Sequence, residues 1–457
     1  MKKLPAYHYR PQKNWINDPN GLFQQDGWYH MFFQHNPNAP QWGDIHWGHA
    51  RSRDMMHWET LPIAMAPALE KGEIHCYSGS CCVGYDGVPR VYYTSVGRTE
   101  DHRDSRDGAE QWIAFLNEDR LTLTQTDAYA LLDPAIHGDM HIRAWRDPHV
   151  IRWQGGYLMA LGGMQDGRGC ITAYTSADGL HWTYRGPILQ SDKQDDVSWE
   201  CPNIFALGDK FGVLYSPFAE VQYAIGTLND DFSLSVEHTG VIDPAGRQGF
   251  YAPQTFVDEQ GRQILLGWMP ECDGKAAAMA KGWSGAMALP RVMQLSETGD
   301  LCCTILPEAL AIAGDMAWNA LAPGQTTLSE HAACSFARIR GCITQPVTLT
   351  MATKADGSEY SMLTLSPDGT LTLDRSHSSA SPDANRSPIA CKVPIKDGKI
   401  DLFAAFDHSI IECCVNGQWL SGRVYPENDD HAVLLVKTAD FLEAACCDQF
   451  QQVNQLF

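Results

Sequence analysis

Short runs of aromatic and β-branched residues, each closed by a glycine turn, constrain this chain more than any other feature. Trp28-Tyr29-His30-Met31-Phe32-Phe33, Val91-Tyr92-Tyr93-Thr94-Ser95-Val96, Tyr157-Leu158-Met159-Ala160-Leu161 and Gln263-Ile264-Leu265-Leu266-Gly267 have the length and composition of strands. Asp26-Gly27, Asp86-Gly87, Gly155-Gly156 and Asp178-Gly179 are hairpin turn pairs. Helical periodicity is scarce, and Leu306 to Ile312 reads as a short helical or loop connector. The expectation is an all-β chain. One turn recurs: Ser52-Arg53-Asp54-Met55-Met56-His57-Trp58 matches Ser176-Ala177-Asp178-Gly179-Leu180-His181-Trp182 as Ser-x-Asp-x-x-His-Trp. A repeated hairpin of this kind suggests a propeller, though a plain sandwich could reuse the same turn.

At 457 residues the chain suggests two domains. The stretch 313–327 is rich in Ala, Gly and Pro and is read as a linker between domains at 1–312 and 328–457. Beyond it, Val347-Thr348-Leu349-Thr350-Met351, Met362-Leu363-Thr364-Leu365 and Thr370-Leu371-Thr372-Leu373 alternate as the strands of an antiparallel sandwich do. Ser376 to Ser387 is expected to be an exposed polar loop.

A net charge of −21 repels nucleic acid and anionic membranes, so neither is an expected partner. No apolar run approaches the roughly 18 residues that a membrane-spanning helix needs. The 15 cysteines are odd in number and contain no Cys-x-x-Cys pair, which argues against a disulfide framework and against zinc. They read as apolar fillers of strands in a reducing compartment. The basic start Met1-Lys2-Lys3 lacks an apolar stretch behind it, so the expected location is cytoplasmic.

Three acidic motifs carry the chemistry. They are Trp15-Ile16-Asn17-Asp18-Pro19-Asn20-Gly21, Trp145-Arg146-Asp147-Pro148 and Trp199-Glu200-Cys201-Pro202-Asn203. Each sets a carboxylate beside a tryptophan in what reads as a turn, the pairing a sugar site needs. Two carboxyl groups flanking a glycosidic bond are the usual machinery of glycoside hydrolysis. A nucleophilic Asp18 needs hydrogen-bond donors to stay ionised. A general acid at Glu200 must hold its proton, which an apolar wall (Trp199, Cys201) or nearby negative charge (Asp18, Asp147) favours. Asp147 beside Arg146 can bind sugar hydroxyls. Taken singly, each motif also has a plain reading: a solvated β-turn Asp18, an exposed loop Glu200, a local Arg146–Asp147 ion pair. Gln34, Trp42 and Tyr77-Ser78 have the right character to join a site. His46 and His49 are metal ligands by type, but without a third partner they read as packed or hydrogen-bonded.

Together these motifs resemble glycoside hydrolase family 32, the invertase, levanase, inulinase and sucrose-6-phosphate hydrolase group. The resemblance starts at Tyr7-His8-Tyr9-Arg10-Pro11 and runs through Phe33-Gln34-His35-Asn36-Pro37, Trp47-Gly48-His49-Ala50 and Tyr77-Ser78-Gly79-Ser80. It continues through Phe250-Tyr251-Ala252-Pro253-Gln254-Thr255-Phe256, Gly267-Trp268-Met269 and Gly282-Trp283-Ser284-Gly285-Ala286-Met287 to Asp407-His408-Ser409-Ile410-Ile411-Glu412. It implies a five-bladed β-propeller followed by a C-terminal β-sandwich. It also implies a retaining β-fructofuranosidase acting on sucrose, sucrose 6-phosphate or short fructo-oligosaccharides. Asp18 would be the nucleophile, Glu200 the acid/base and Asp147 the transition-state stabiliser. Asn17, Gln34, Trp42, Ser78, Arg146, Tyr251, Trp268 and Trp283 would bind a small carbohydrate substrate. No metal or organic cofactor is implied.

The chain departs from the family pattern at Gly249, where many relatives carry Asp, at Tyr77, and along Arg98 to Asp133. These departures bear on the leaving-group side. Phosphate recognition would need a basic pocket at the mouth, for which Arg98, Arg103, Arg106 and Lys275 are candidates. A fructosyltransferase with the same residues, a non-catalytic sugar-binding propeller and an inverting pentosan hydrolase are the alternatives.

Overall fold

The four apolar runs become strands buried along nearly their whole length, at Trp28–Asn36, Pro89–Gly97, Gly156–Gln165 and Gln263–Met269. Each is the second strand of an antiparallel sheet, with a neighbour on either edge. The computed structural model describes residues 4–97, 109–125, 131–427 and 432–450. Arg98, Arg103 and Arg106 lie outside the described residues, as does part of the Arg98 to Asp133 stretch.

Residues 14–305 form sheets of four or five strands that follow one another in sequence. Their first strands are Asn14–Gln25, Glu73–Val83, Arg143–Trp153, Glu200–Leu207 and Tyr251–Val257. Each packs against the first strand of the next sheet, and the last packs back against Asn14–Gln25. Such a ring is the arrangement of a β-propeller. Trp283–Ser284 pairs in parallel with Asn14–Gln25 and ties the end of the ring to its start.

The recurring turn joins the third and fourth strands of two of these sheets. Asp54 Oδ1 accepts from the Met56 and His57 backbone N–H groups, and Asp54 Oδ2 pairs with His57 Nδ1 at 2.6 Å. Asp178 does the same for Leu180, His181 and the His181 ring.

The remaining strands form two six-stranded sheets that make the sandwich. It begins inside the stretch read as a linker: Asn319–Leu321 and Gly324–Ser329 pair with Leu442–Cys447 and Val433–Thr438. The connector before it holds a short helix, Pro307–Ala311.

Buried ions join propeller and sandwich. His8 places Nδ1 2.8 Å from Asp407 Oδ2 and Nε2 2.8 Å from Glu412 Oε2. The backbone N–H groups of Ala6, Tyr7 and His8 also donate to the Asp407 carboxylate. Arg291 donates to Glu412 and Asp243 at 2.7 and 3.1 Å, between the rings of Phe250 and Trp419. A second contact lies at Gly249, where a Cβ would stand 2.9 Å from the Gly422 Cα of a sandwich strand. The polar loop Ser376 to Ser387 is only partly exposed, since Ser378 and Ser379 are buried and Asn385 donates to Gln248 Oε1 at 3.0 Å.

Candidate active site

A break in register marks every first strand of the ring. The breaks fall between Ile16 and Pro19, Cys76 and Gly79, Glu200 and Asn203, and Tyr251 and Gln254, and on Arg143–Trp153 between Arg146 and His149. Asp18, Ser78, Asp147 and Cys201 fall within them, and Glu200 and Tyr251 stand at their edges. A bulge leaves one residue unpaired and re-aims its side chain. Three of the five breaks hold a proline (Pro148, Pro202, Pro253) and a fourth ends on one (Pro19), a residue that has no N–H to give the ladder. Asp147, Cys201 and Ala252 take positive φ, of 65°, 47° and 45°. The acidic motifs, which read as turns, are therefore bulged strands: the same Pro and Asn residues interrupt pairing without reversing the chain.

The re-aimed side chains meet in one cavity of about 310 Å³. Asn17, Asp18, Gln34, Trp42, Ser78, Arg146, Asp147, Glu200, Tyr251 and Trp268 all line it. Trp283 does not. It is buried beneath the Arg10 guanidinium at 5.0 Å and the Lys281 ammonium at 4.9 Å, because its strand is taken up in closing the ring.

Asp18 has the donors an ionised carboxylate requires. Ser78 Oγ donates to its Oδ2 at 2.5 Å and Asn17 Nδ2 to its Oδ1 at 3.0 Å. Asn17 is itself held by Trp15 Nε1 at 2.6 Å. Burial pushes the Asp18 carboxyl above its ordinary range, while the bonds from Ser78 and Asn17 pull it back. Asp147 Oδ2 accepts from the Cys201 backbone N–H at 2.8 Å, and the Asp147 N–H donates to Thr94 Oγ1. Burial raises its carboxyl to about 7, against the pull of Arg146 and with the push of Glu200. Glu200 accepts from Arg146 at 2.7 Å on one oxygen and from the Tyr251 hydroxyl at 2.8 Å on the other. The Arg146 guanidinium is thus directed chiefly to Glu200, with Asp147 3.8 Å away.

Aromatic walls flank these groups. Half-exposed Trp42 leans on Tyr77 and His75 at one rim. Trp15 and Trp268 meet edge to face at 5.7 Å. The other rim is Phe218 and Arg247, which sequence reasoning missed. Phe218 stands in a bend and Arg247 in a short 3-10 turn, both outside any motif. The clue was their neighbourhood: Phe218 follows Ser216-Pro217, and Arg247 precedes the anomalous Gly249. Lys275 does not line the cavity. His46 and His49 are hydrogen-bonded, to the Asp44 carbonyl and to His30 with the Leu121 carbonyl. Among the described residues no cluster of three His, Cys, Asp or Glu could hold a metal ion, and no helix is long and apolar enough to cross a membrane.

The profile of the glycosyl hydrolases family 32 N-terminal domain matches residues 8–304, and that of the family's C-terminal domain matches residues 324–448. With a β-propeller followed by a β-sandwich as its architecture, the chain belongs to glycoside hydrolase family 32. It is 33% identical over 306 residues to a sucrose-6-phosphate hydrolase of Escherichia coli, covering 64% of this chain and 62% of that protein. The chain thus matches less than two thirds of that relative's own length. Among solved structures, a Bombyx mori GH32 β-fructofuranosidase variant in complex with sucrose has a TM-score of 0.81 at 25% identity, over 98% of this chain and 94% of that one. A fructan 1-exohydrolase IIa from Cichorium intybus has a TM-score of 0.83 at 23% identity, over 99% of this chain and 98% of that one.

Proposed function

We propose that this protein is a retaining β-fructofuranosidase that releases fructose from sucrose, sucrose 6-phosphate or short fructo-oligosaccharides. In this reading the ring of sheets is a five-bladed propeller occupying residues up to 312, with the substrate at its axis. The observation that carries the proposal is the meeting of Asp18, Asp147 and Glu200 from three different first strands in one cavity, with Ser78 and Asn17 donating to Asp18. Family membership and the fructosidase names of the relatives point the same way.

Asp18 attacks the anomeric carbon while Glu200 gives its proton to the departing glycosidic oxygen. The carbon–oxygen bond to the leaving group breaks and an ester to Asp18 forms. Glu200, now a carboxylate, takes a proton from water, which attacks the same carbon and frees Asp18. Arg146 and Tyr251 hold Glu200 in place, and Asp147 receives fructose hydroxyls as charge builds on the ring.

The test is fructose release from sucrose, sucrose 6-phosphate, kestose, inulin and levan by purified protein. Asp18→Asn is expected to keep the wild-type melting temperature and to lose about a thousandfold or more in kcat. With methanol as acceptor, the expected product is methyl β-fructofuranoside. The α anomer would overturn retention, and near-normal turnover by Asp18→Asn would remove the nucleophile.

A further inference from the structure

We propose that Phe218 and Arg247 form the leaving-group subsite, and that Arg247 selects a leaving sugar carrying an anionic group such as a phosphoryl. This rests on the fructosidase reading above.

Among the described residues the cavity has two cations in its lining, and they are differently committed. Arg146 is bound to Glu200 and lies beside Asp147. Arg247 is exposed, and its guanidinium forms no ion pair with any described residue. It lies over the rings of Phe218 at 5.6 Å and Tyr251 at 5.4 Å. In a chain of net charge −21, with three carboxylates in the cavity, an anionic substrate is repelled unless a local cation receives it. Among the described residues Arg247 is the lining cation left to do so, and a guanidinium fits a phosphoryl group with two parallel hydrogen bonds.

Position assigns the side of the substrate. Tyr251 connects this rim to the proton donor, since its hydroxyl donates to Glu200 and accepts from the Phe218 backbone N–H at 2.9 Å. A group resting on Phe218 and Arg247 therefore sits beyond Glu200, where the protonated oxygen departs. The fructose-facing donors Asn17 and Ser78 are bonded to Asp18 instead.

Two features show that the rim is built. Phe218 takes φ 61° and is 43% exposed, an unfavourable backbone and an unfavourable exposure at one residue. The short 3-10 turn Gly246–Gln248 that carries Arg247 is gripped from the sandwich. Arg375 donates to Gln248 Oε1 at 2.6 Å, and Asn385 donates to the same oxygen.

The experiment compares kcat/KM for sucrose and for sucrose phosphorylated on its glucose 6-oxygen, at low and high salt. The wild type is expected to prefer the phosphorylated substrate, and salt should erode the preference, because Arg247 is exposed. Arg247→Gln should lower the ratio of the two constants by about 10- to 100-fold, the range for a charge-assisted bidentate contact. Arg247→Lys should recover part of it, and Phe218→Ala should raise KM for both substrates. A wild type without preference, or an unchanged ratio in Arg247→Gln, would overturn the proposal. Silence of the wild type on both substrates and on kestose, inulin and levan would remove the fructosidase reading, and this subsite with it.

Discussion

Asp147 shows what burial does to a single side chain. Its φ of 65° turns the carboxylate into the cavity, and burial then raises its carboxyl to about 7. If the sugar needs the ionised form, kcat/KM falls as pH drops below about 7, because Asp147 then takes up a proton. Arg146 opposes that rise, so its removal should raise it further. Arg146→Gln is expected to lower kcat/KM at every pH and to move the acid limb to higher pH. The limb reports the coupled carboxylates of the site together, so the check is its displacement in a full pH–rate profile. A limb that stays in place would show that Arg146 acts only on Glu200. The acidic residues and most of their companions were legible from the chain, because Asp, Glu and Trp beside Pro have few ordinary uses in a strand. Trp283 was not, because a buried tryptophan and a sugar-stacking one look alike in sequence.

At the scale of elements, the bulge is the device that makes the site. Strands were visible because each second strand is buried on both faces and reads as an apolar run. The bulges were hidden inside motifs that also satisfy the rules for turns, and only pairing distinguishes the two. Gly249 is a similar case. In the sequence, a glycine there reads as a departure from the family pattern that bears on the leaving-group side. In the structure it is a point of close approach, with Gly422 Cα and N at 2.9 and 3.0 Å from where a Cβ would stand. Those atoms are backbone and cannot swing aside. Gly249→Asp is expected to destabilise the protein by about 1–3 kcal/mol through overpacking, measured as a lower denaturation midpoint. It should also weaken the grip on Gly246–Gln248, seen as a higher KM. A variant as stable as the wild type would mean that the sandwich yields at this point without cost.

For the molecule as a whole, the sandwich is a buttress joined to the propeller through a shared apolar core and, within it, a fully buried ionic cluster. Asp407 and Glu412 each face one nitrogen of His8, so the ring can serve both carboxylates only as the doubly protonated cation. Burial works against that charge, but the bonds to Asp407 and Glu412 outweigh it and the His8 pKa is raised. Burial likewise opposes the two carboxylates, yet the His8 bonds hold them below their ordinary range, with Arg291 aiding Glu412. The signs then set the pH window. His8 gives its full stabilisation below its unfolded pKa of about 6.5, and this is lost as pH rises through the raised folded value. The carboxylates stabilise above about pH 4 and lose this as pH falls through their lowered values. The melting temperature should therefore peak between these limits and decline on the alkaline side from about pH 6.5. His8→Gln cannot carry the charge and leaves two buried carboxylates short of a partner. Removing one member of a buried ionic cluster costs about 3–5 kcal/mol, so its melting temperature should be lower at neutral pH and its alkaline decline absent. Because the same sandwich grips the turn bearing Arg247, partial loosening of the joint should raise KM before the propeller itself melts. Paired measurements of KM and of near-ultraviolet circular dichroism across pH 6 to 9 would read the two events separately. Coincident loss of both, or a wild-type melting temperature flat over that range, would show that His8 does not fasten the halves.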